Sequence, residues 1–303
     1  MENFLKKTPL KRFHLKDFRY ECFLGKGASG SVYKHSQNKG TYVVKVLRKD
    51  GWDEDDFYED LLWQTEIIKQ MGRLEQSVYF LGFDVIEKDN NETVALIMEY
   101  FESTCDLYDY INYRQFWTKS YDKQGYSYKR GNVYSKYMMD KTQKLQITKR
   151  FLEAIEEIHS KRVGIVHGDI KTANIILDKD NNMKLIDFGA SIFSEENGGL
   201  CKTDWNHGTL GYSSPEDTNH YLLGKSSDIY SLGVSLIEIW SGRIWGDAED
   251  FQTCRNEVLR ALRMIEKNDK EIGTILRKMV NVNSKKRPKI KTVISYFKEK
   301  NLF

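Results

Sequence analysis

The sequence predicts an α+β fold whose first third is rich in strands and whose remainder is rich in helices. Residues 18–47 alternate between short apolar runs and glycine-containing turns, and residues 78–86 and 93–100 are predicted to form further strands. From residue 142 onward, apolar residues recur with helical spacing. Because the composition changes near Phe101–Cys105, we expect a boundary between two structural parts at that point.

The length and composition narrow the class of protein. A chain of 303 residues suits either one large domain or two smaller lobes that share a cleft. Hydrophobic residues make up 40% and charged residues 30%, as in ordinary globular proteins, and the net charge of +3 does not by itself indicate nucleic acid. No apolar run reaches the roughly 18 residues that a membrane helix needs, so we predict no membrane contact.

The expected location follows from the first residues and from the cysteines. The opening MENFLKKTPLKRF lacks the apolar core of a secretory signal. The four cysteines are scattered without CxxC spacing, which is typical of reduced thiols and not of disulfides or a zinc site. We therefore expect an intracellular protein, cytoplasmic or nuclear, and not a secreted one.

The first 72 residues contain a basic segment and a predicted helix. Residues 1–17 carry five lysine or arginine side chains, and we predict a solvated, partly ordered extension. A role in nuclear import or phosphate binding is the weaker alternative. Residues 56–72 are predicted to form a helix because five apolar residues fall near one face, namely Leu61, Leu62, Ile67, Ile68 and Met71.

A glycine-rich loop follows the first predicted strand. Gly25, Gly27 and Gly30 have the spacing GxGxxG, and glycine lets the backbone approach phosphate oxygens without a Cβ in the way. Dinucleotide-binding folds use the same spacing, but there the loop opens a helix. Here the run SVYK continues into another strand. We therefore predict a β-turn flap.

The run HGDIKTAN at residues 167–174, followed by DFG at residues 187–189, is the most informative feature of the chain. Asp169 can accept a proton from a hydroxyl nucleophile, and Lys171 can hold a transferred phosphate. Asn174 and Asp187 offer the hard oxygen ligands that Mg²⁺ prefers. A hairpin between them would bring both to the same metal cluster, so this order of groups suits phosphoryl transfer.

These motifs, with GTLGYSSPE at residues 208–216, resemble the eukaryotic-type protein kinases of the serine/threonine class from Leu24 to Arg287. The resemblance implies a bilobal protein-kinase fold. Residues 18–101 would form a small, mainly antiparallel β lobe with one main helix, and residues 102–303 a larger, mainly helical lobe. The implied activity is transfer of the γ-phosphate of ATP, with Mg²⁺, to serine or threonine hydroxyls of proteins.

The resemblance assigns the nucleotide site. Lys45 would hold the α- and β-phosphates and pair with a helix glutamate. We choose Glu66 because Met98, the residue expected behind the adenine, follows it by 32 residues. Glu59 is the alternative. The base would lie between apolar side chains and against the backbone of the connecting segment, at Leu24, Val32, Val43, Met98, Glu99, Phe101 and Ile176.

Two of these positions need separate mention. Asp106, in a segment that resembles Pim-type kinases locally, would meet the ribose or a basic substrate. Val43 stands where the family usually has alanine, so we expect a narrower roof above the base.

The resemblance also assigns supporting residues. Thr209 would bond Asp169 and Lys171, as in serine/threonine kinases. Glu216 would pair with Arg287 in a buried ion pair, and Asp228 would brace the backbone of the catalytic loop. The segment 191–207 is polar and contains glycine, so we predict a mobile loop.

Gly168 replaces the arginine that the family places before the catalytic aspartate. That arginine normally binds an activation-loop phosphate through charge-assisted hydrogen bonds. We therefore predict activity that does not require activation-loop phosphorylation. The alternative is a pseudokinase-like scaffold, for which Gly168 and Val43 are the sequence evidence.

An insertion at about 112–141 is basic and aromatic. Residues 112–149 hold nine lysine or arginine residues against two aspartates, with six interleaved tyrosines. We favour a solvated surface excursion. Docking of an acidic partner is the second hypothesis, and nucleic acid, which such side chains can also bind, is the third. If binding of an acidic partner or of nucleic acid is the main role of the insertion, the chain is chiefly a binding module.

Overall fold

The computed structural model describes most of the chain. The residues it describes are 1–27, 29–38, 40–49, 51–88, 91–103, 105–112, 117–122, 125–130, 139–195, 199–203, 208–243 and 250–303. For residues 88, 91, 112, 117–122 and 125–130, the description covers the backbone alone.

Fourteen strands lie within the described residues. They are β1 (Arg19–Lys26), β2 (Gly30–Gln37), β3 (Gly40–Leu47), β4 (Phe80–Lys88), β5 (Asn91–Glu99), β6 (Cys105–Asp106), β7 (Trp117–Asp122), β8 (Gly125–Arg130), β9 (Ile165–Val166), β10 (Ile175–Leu177), β11 (Met183–Leu185), β12 (Ile192–Phe193), β13 (Cys201–Lys202) and β14 (Leu222–Leu223).

Nine α-helices lie within the same part of the chain. They are α1 (Glu2–Lys7), α2 (Glu54–Met71), α3 (Leu107–Asn112), α4 (Lys141–His159), α5 (Pro215–His220), α6 (Lys225–Ser241), α7 (Phe251–Asn268), α8 (Lys270–Met279) and α9 (Ile290–Glu299). None of the described helices is long and apolar enough to cross a bilayer.

The predicted α+β class is confirmed. A five-stranded antiparallel sheet in the order β1-β2-β3-β5-β4, with α2 as its main helix, precedes the helical remainder. The predicted helix 56–72 corresponds to α2. It starts two residues earlier because the side chain of Asp53 caps the first turn by accepting from the N–H of Asp55. It ends at Met71 and is followed by Gly72, whose φ of 61° suits glycine.

Strand β3 is apolar on both faces, because both faces of the sheet are covered. Val44 and Val46 belong to an outer cluster with Phe18. Leu47 belongs to the large inner core that continues into the helical portion. Since side chains alternate along a strand, Val43 and Lys45 share the inner face with Leu47. Lys45 therefore points toward the cleft between the two portions.

Residues 1–17 are packed against the sheet, so the prediction of a solvated extension was wrong. Phe4 on α1 is fully buried, with ring contacts to Tyr58 of α2 and Phe83 of β4. The backbone of this segment pairs with β4, because Phe83 donates to the carbonyl of Lys11 and accepts from the N–H of Phe13. The lysines hid this contact, because Lys6 and Lys7 are exposed on α1 while Phe4 is buried in the core and Leu5 packs against it.

The helical portion is built around α6. Thirteen consecutive residues of this helix, 227–239, are buried, and α4, α7 and α8 pack against it. Short strands connect this core to the cleft: β6, β10 and β11 form a three-stranded sheet, and β9 pairs with β12.

The segment 191–207, predicted to be a mobile loop, contains two short strands. Ile192 pairs with Val166, and Cys201 pairs with Leu223. Residues 196–198 and 204–207 of this segment lie outside the described residues. The described parts are therefore fixed to the helical portion by backbone pairing.

Candidate active site

Three side chains from two separate motifs meet at the mouth of the cleft. Lys171 Nζ lies 2.6 Å from Asp169 Oδ2 and 2.6 Å from Thr209 Oγ1, and Thr209 Oγ1 donates to Asp169 Oδ1 at 2.7 Å. Asn174 Nδ2 donates to the carbonyl of Asp169 at 2.8 Å and to Asp169 Oδ2 at 3.2 Å. The arrangement holds one carboxylate and one ammonium in fixed positions, each about four-fifths buried.

Asp228 holds the backbone of this loop, as predicted. Its carboxylate accepts from the N–H of His167 at 2.8 Å and from the N–H of Gly168 at 3.1 Å. His159 Nε2 lies 2.8 Å from the same carboxylate. These bonds are buried, so the turn that presents Asp169 is fixed from inside the helical portion.

Gly168 has a φ of 81°, in the region that favours glycine. A Cβ at this position would overlap the carbonyl oxygen of Ala190. The absence of an arginine therefore coincides with a backbone conformation and a close approach that strain any side chain there.

Asn174 and Asp187 lie at the same end of a short hairpin. Strand β10 pairs with β11, and the N–H of Ile186 donates to the carbonyl of Asn174 at 2.9 Å. Both side chains carry hard oxygen donors, which fit Mg²⁺. Among the described residues, no group of three or more His, Cys, Asp or Glu could hold a metal. Mg²⁺ is commonly bound through one or two carboxylates together with water and substrate phosphate oxygens.

Asp187 is held in an uncommon conformation, with φ of 62°. Its Oδ1 accepts from Lys45 Nζ at 2.7 Å. Burial raises the pKa of Asp187, but the charge and hydrogen bond of Lys45 outweigh it, so the pKa lies below the ordinary value. The carboxylate is therefore ionised at neutral pH.

The predicted ion pair between Lys45 and Glu66 does not form among the described residues, which corrects the sequence prediction. The Glu66 carboxylate accepts from Gln70 one turn further along α2, in an exposed position. Glu59, the alternative, is exposed, whereas Glu66 is partly buried. Within the described residues, Lys45 forms an ion pair with Asp187. The spacing to Met98 failed as a guide because it does not record which face of α2 turns inward.

The glycine-rich loop is a β-hairpin and does not open a helix, as predicted. It joins β1 to β2, and the N–H of Gly27 donates to the carbonyl of Gly30 at 2.9 Å. Among the described residues other than the chain neighbours, none comes within 4 Å of a Cβ placed on Gly25 or Gly27, whereas one on Gly30 would overlap the carbonyl of Val46. Gly30 is therefore required by close packing against β3. Gly25 and Gly27 leave open space at the tip.

The residues predicted around the base share one side of the cleft. Val32 pairs with Lys45 and Val43 pairs with Met98, so all four lie on the inner face of the sheet. Leu24 lies on β1, beside the hairpin tip.

The opposite wall comes from the helical portion. There, Ile176 of β10 pairs with Asp106 of β6. Burial raises the pKa of Asp106 to about 6.

In the segment that connects the two portions, the N–H of Glu99 donates to the carbonyl of Tyr79, and the carbonyl of Phe101 accepts from the N–H of Ser103. A base at Glu99 could therefore not use that N–H.

Comparison with known proteins decides the family. The sequence matches the protein kinase domain over residues 18–297. The chain belongs to the protein kinase domain family. Within this kinase domain, the predicted ion pair between Glu216 and Arg287 is confirmed, with N–O distances of 2.5 and 2.7 Å.

Individual relatives of the kinase domain are distant and longer. It is 29% identical to a serine/threonine-protein kinase-like protein of Arabidopsis thaliana, over 77% of this chain and 60% of that protein. It is 28% identical to human NUAK family SNF1-like kinase 2, over 97% of this chain and 42% of that protein. It is 33% identical to cysteine-rich receptor-like protein kinase 10 of Arabidopsis thaliana, over 75% of this chain and 30% of that protein. The chain thus spans less than two thirds of these relatives.

One buried polar group of the kinase domain was missed by sequence analysis. Glu238 on α6 is fully buried and accepts from the hydroxyls of Tyr212 and Thr172, each at 2.8 Å. The apolar run around Glu238 gave no sign that its carboxylate would find hydroxyl partners from two distant loops. Its contacts tie the segment after Thr209 to the catalytic loop.

The insertion is described only in part. Strands β7 and β8 form an antiparallel hairpin, and residues 113–116, 123–124 and 131–138 lie outside the described residues. Two of the nine basic residues are used within the domain. Lys141 pairs with Asp269 at 2.7 Å, and Lys144 donates to the carbonyl of Trp240 at 3.1 Å. Lys141 and Lys144 therefore contact the rest of the domain, which the sequence count did not show.

Proposed function

We propose that this kinase domain transfers the γ-phosphate of ATP to serine or threonine hydroxyls of protein substrates. The observation that carries the proposal is the closed set of hydrogen bonds among Asp169, Lys171 and Thr209, at 2.6 to 2.7 Å. Most of the rate enhancement in this chemistry comes from positioning and charge neutralisation. An anchored carboxylate beside an anchored ammonium supplies both.

Each residue then has a defined role. Asp169 orients the acceptor hydroxyl and takes its proton. Lys171 neutralises charge on the transferred phosphoryl oxygens, and Thr209 keeps both groups in register. Lys45 orients the remaining phosphates from the sheet. Mg²⁺, held by Asn174 and Asp187, supplies further charge neutralisation when bound.

We infer that this activity does not need a phosphate on the activation loop. Asp228 already fixes the catalytic loop through the N–H groups of His167 and Gly168. Thr209 already reaches Asp169 without a phosphate. The positions that a phosphate-bound arginine would stabilise are therefore supported by buried hydrogen bonds.

A second candidate function is a nucleotide-binding scaffold without transfer activity. The observation that favours it is Lys45, which pairs with Asp187 and not with a glutamate of α2. Kinases need a lysine that is correctly placed by this helix. A domain that binds Mg·ATP but transfers no phosphate would establish this candidate.

The test is transfer from γ-labelled ATP with Mg²⁺, using phosphatase-treated protein and a panel of acidic and basic substrates. We expect labelled phosphoserine or phosphothreonine from the wild type and none from Asp169→Asn. Asp180→Asn, which changes an exposed carboxylate outside the site, is the matched control and retains activity. Wild-type transfer that appears only after loop phosphorylation would contradict the inference drawn from Gly168.

Thr209 gives a finer test of the same site. Thr209→Val keeps the shape of the side chain but removes both hydrogen bonds, and we expect kcat to fall roughly 10- to 100-fold. Thr209→Ser keeps the hydroxyl and retains most of the activity. Equal activity of the two variants would show that the hydroxyl has no part in catalysis.

We also infer an intracellular location, cytoplasmic or nuclear, which the four free cysteines support. An acidic protein is our choice of partner for the remaining basic residues of 112–149, with nucleic acid as the alternative. Binding that weakens with salt and survives Asp169→Asn supports such a partner. No binding to either class at low salt rejects both.

A further inference from the structure

Within the part of the chain that the structure describes, Lys45 forms its ion pair with Asp187 and not with a glutamate of α2, although the family pattern pairs lysine and glutamate. The Lys45 side chain is 14% exposed, and its ammonium donates to Asp187 Oδ1. Glu66 is turned toward Gln70. The domain therefore needs another way for α2 to control the position of Lys45.

Gln64 is the α2 residue that faces the DFG segment. Its Oε1 lies 3.9 Å from the point that a Cβ on Gly189 would occupy, and Asp187 Oδ1 lies 3.4 Å from the same point. The neighbouring Trp63 contacts Phe193 on β12, which follows the DFG segment, with ring centroids 5.1 Å apart. Residues two positions apart on a helix point in nearly opposite directions. Gln64 therefore turns inward where Glu66 turns outward.

The amide of Gln64 is anchored from behind. Its Nε2 donates to Asp60 Oδ2 at 2.6 Å, one turn earlier on α2. This bond fixes the orientation of the amide, so that Oε1 is directed toward the DFG segment. Burial raises the pKa of Asp60, and the hydrogen bond from Gln64 acts in the opposite direction.

We propose that Gln64 is the positioning residue of α2 for Lys45 and Asp187, with its amide oxygen in place of the family's carboxylate, and that Asp60 fixes this amide. The inference rests on the proposed kinase function. An amide oxygen attracts an ammonium through a dipole and not through a full charge. The link between α2 and Lys45 is therefore weaker than an ion pair and carries no charge of its own to titrate.

The test compares four variants for kcat, for the KM of ATP, and for the Kd of Mg·ATP by calorimetry. Gln64→Leu removes the amide, and we expect kcat/KM to fall roughly 10- to 100-fold, as when a hydrogen bond to a charged group is lost. Glu66→Gln should change none of the three constants. Thermal unfolding shows whether each variant is folded.

The other two variants restore a carboxylate. Gln64→Glu places a charge beside Lys45 but also opposite Asp60, so we expect only partial activity and a new dependence on pH. Asp60→Asn with Gln64→Glu reverses the donor and the acceptor of the same hydrogen bond. We expect this double variant to reach at least wild-type kcat/KM, which a merely structural role of Gln64 would not produce.

Two outcomes overturn the proposal. Gln64→Leu could match the wild type, or Glu66→Gln could lose activity, which would mean that Glu66 reaches Lys45 during turnover. If the wild type itself transfers no phosphate, the kinase function fails separately. The calorimetric Kd values of the same variants then still decide whether Gln64 positions the nucleotide site.

Discussion

Arg287 and Glu216 lie 71 residues apart in the sequence and form a two-pronged ion pair, with N–O distances of 2.5 and 2.7 Å. The guanidinium also donates to the carbonyls of Ser226 and Asn281 and lies over the ring of Tyr230. Its side chain is fully buried. This contact joins the end of the activation segment to the last quarter of the chain.

Removal of Arg287 should strongly destabilise the domain. Arg287→Ala leaves the Glu216 carboxylate buried and unpaired, and we expect the free energy of unfolding to fall by about 3–5 kcal/mol. Arg287→Lys should recover only part of this, because lysine lacks the planar fork. Arg277→Ala is the matched control, since its two-pronged pair with Glu266 is partly exposed. Urea denaturation should show that Arg277→Ala lowers the free energy of unfolding by less than about 1 kcal/mol.

The same ion pair should make stability depend on acid pH. Burial raises the pKa of Glu216, but Arg287 lowers it more, so the folded-state pKa lies below the ordinary 4.5. The stabilisation is therefore fully present above pH 4.5 and is lost as the pH falls through the folded-state pKa. The difference in unfolding free energy between wild type and Arg287→Ala should shrink below pH 4.5. A difference that stays constant down to pH 3 would contradict this assignment.

The ion pair also indicates what could be foreseen from the sequence. Glu216, Arg287, Asp228 and Thr209 each sit in a motif whose order along the chain corresponds to a fixed contact, so their partners followed from the resemblance. The position of Glu66 did not follow, because spacing along the chain does not fix the rotation of a helix. That rotation depends on which residues of α2 enter the core.

Contacts made by single residues outside a motif could not be predicted from the sequence either. Phe4 lies in a segment with five lysine or arginine residues, and this charge indicated solvent. Glu238 lies in an apolar run that gave no sign of the hydroxyls from which it accepts. In both cases the deciding atoms come from distant elements, β4 and α2 for Phe4 and the catalytic loop for Glu238, which a local pattern does not include.

Gly168→Ala should destabilise the catalytic loop. A side chain at a φ of 81° is strained, and its Cβ would overlap the carbonyl of Ala190, so we expect a loss of roughly 1–3 kcal/mol. Gly25→Ala is the control, because no described residue other than its chain neighbours comes within 4 Å of its Cβ. Its melting temperature should match that of the wild type. A Gly168→Ala variant as stable as Gly25→Ala would show that the backbone tolerates a side chain there.

Asp106 should give ATP binding a pH dependence. Burial raises its pKa to about 6, so the carboxylate that would accept a ribose hydroxyl becomes protonated as the pH falls through 6. We expect the KM for ATP to rise below pH 6 in the wild type. The phosphates of ATP titrate in the same range. The informative quantity is therefore the KM of the wild type divided by the KM of Asp106→Asn, whose side chain does not titrate. A ratio that is constant between pH 5 and 8 would remove Asp106 from the ribose site.

Phe4 should anchor residues 1–13 to the sheet. It is fully buried, 5.2 Å from the ring centroid of Phe83 and 5.8 Å from that of Tyr58. Phe4→Ala leaves a cavity between α1, α2 and β4, and we expect the free energy of unfolding to fall by about 3–5 kcal/mol. Hydrogen exchange followed by mass spectrometry should show faster exchange at residues 2–13 and at the β4 amide of Phe83, which donates to Lys11.

The control for Phe4 is Lys6→Ala on the same helix. The pair of Lys6 with Glu2 is exposed, so its removal should leave both the unfolding free energy and the exchange pattern unchanged. Faster exchange in Phe4→Ala that is confined to residues 2–13, with unchanged global stability, would mean that the segment detaches without weakening α2. Protection equal to that of the wild type would contradict the packing of Phe4 itself. If α2 also exchanges faster, Phe4 supports the helix that carries Gln64, and its loss should then raise the Kd for Mg·ATP.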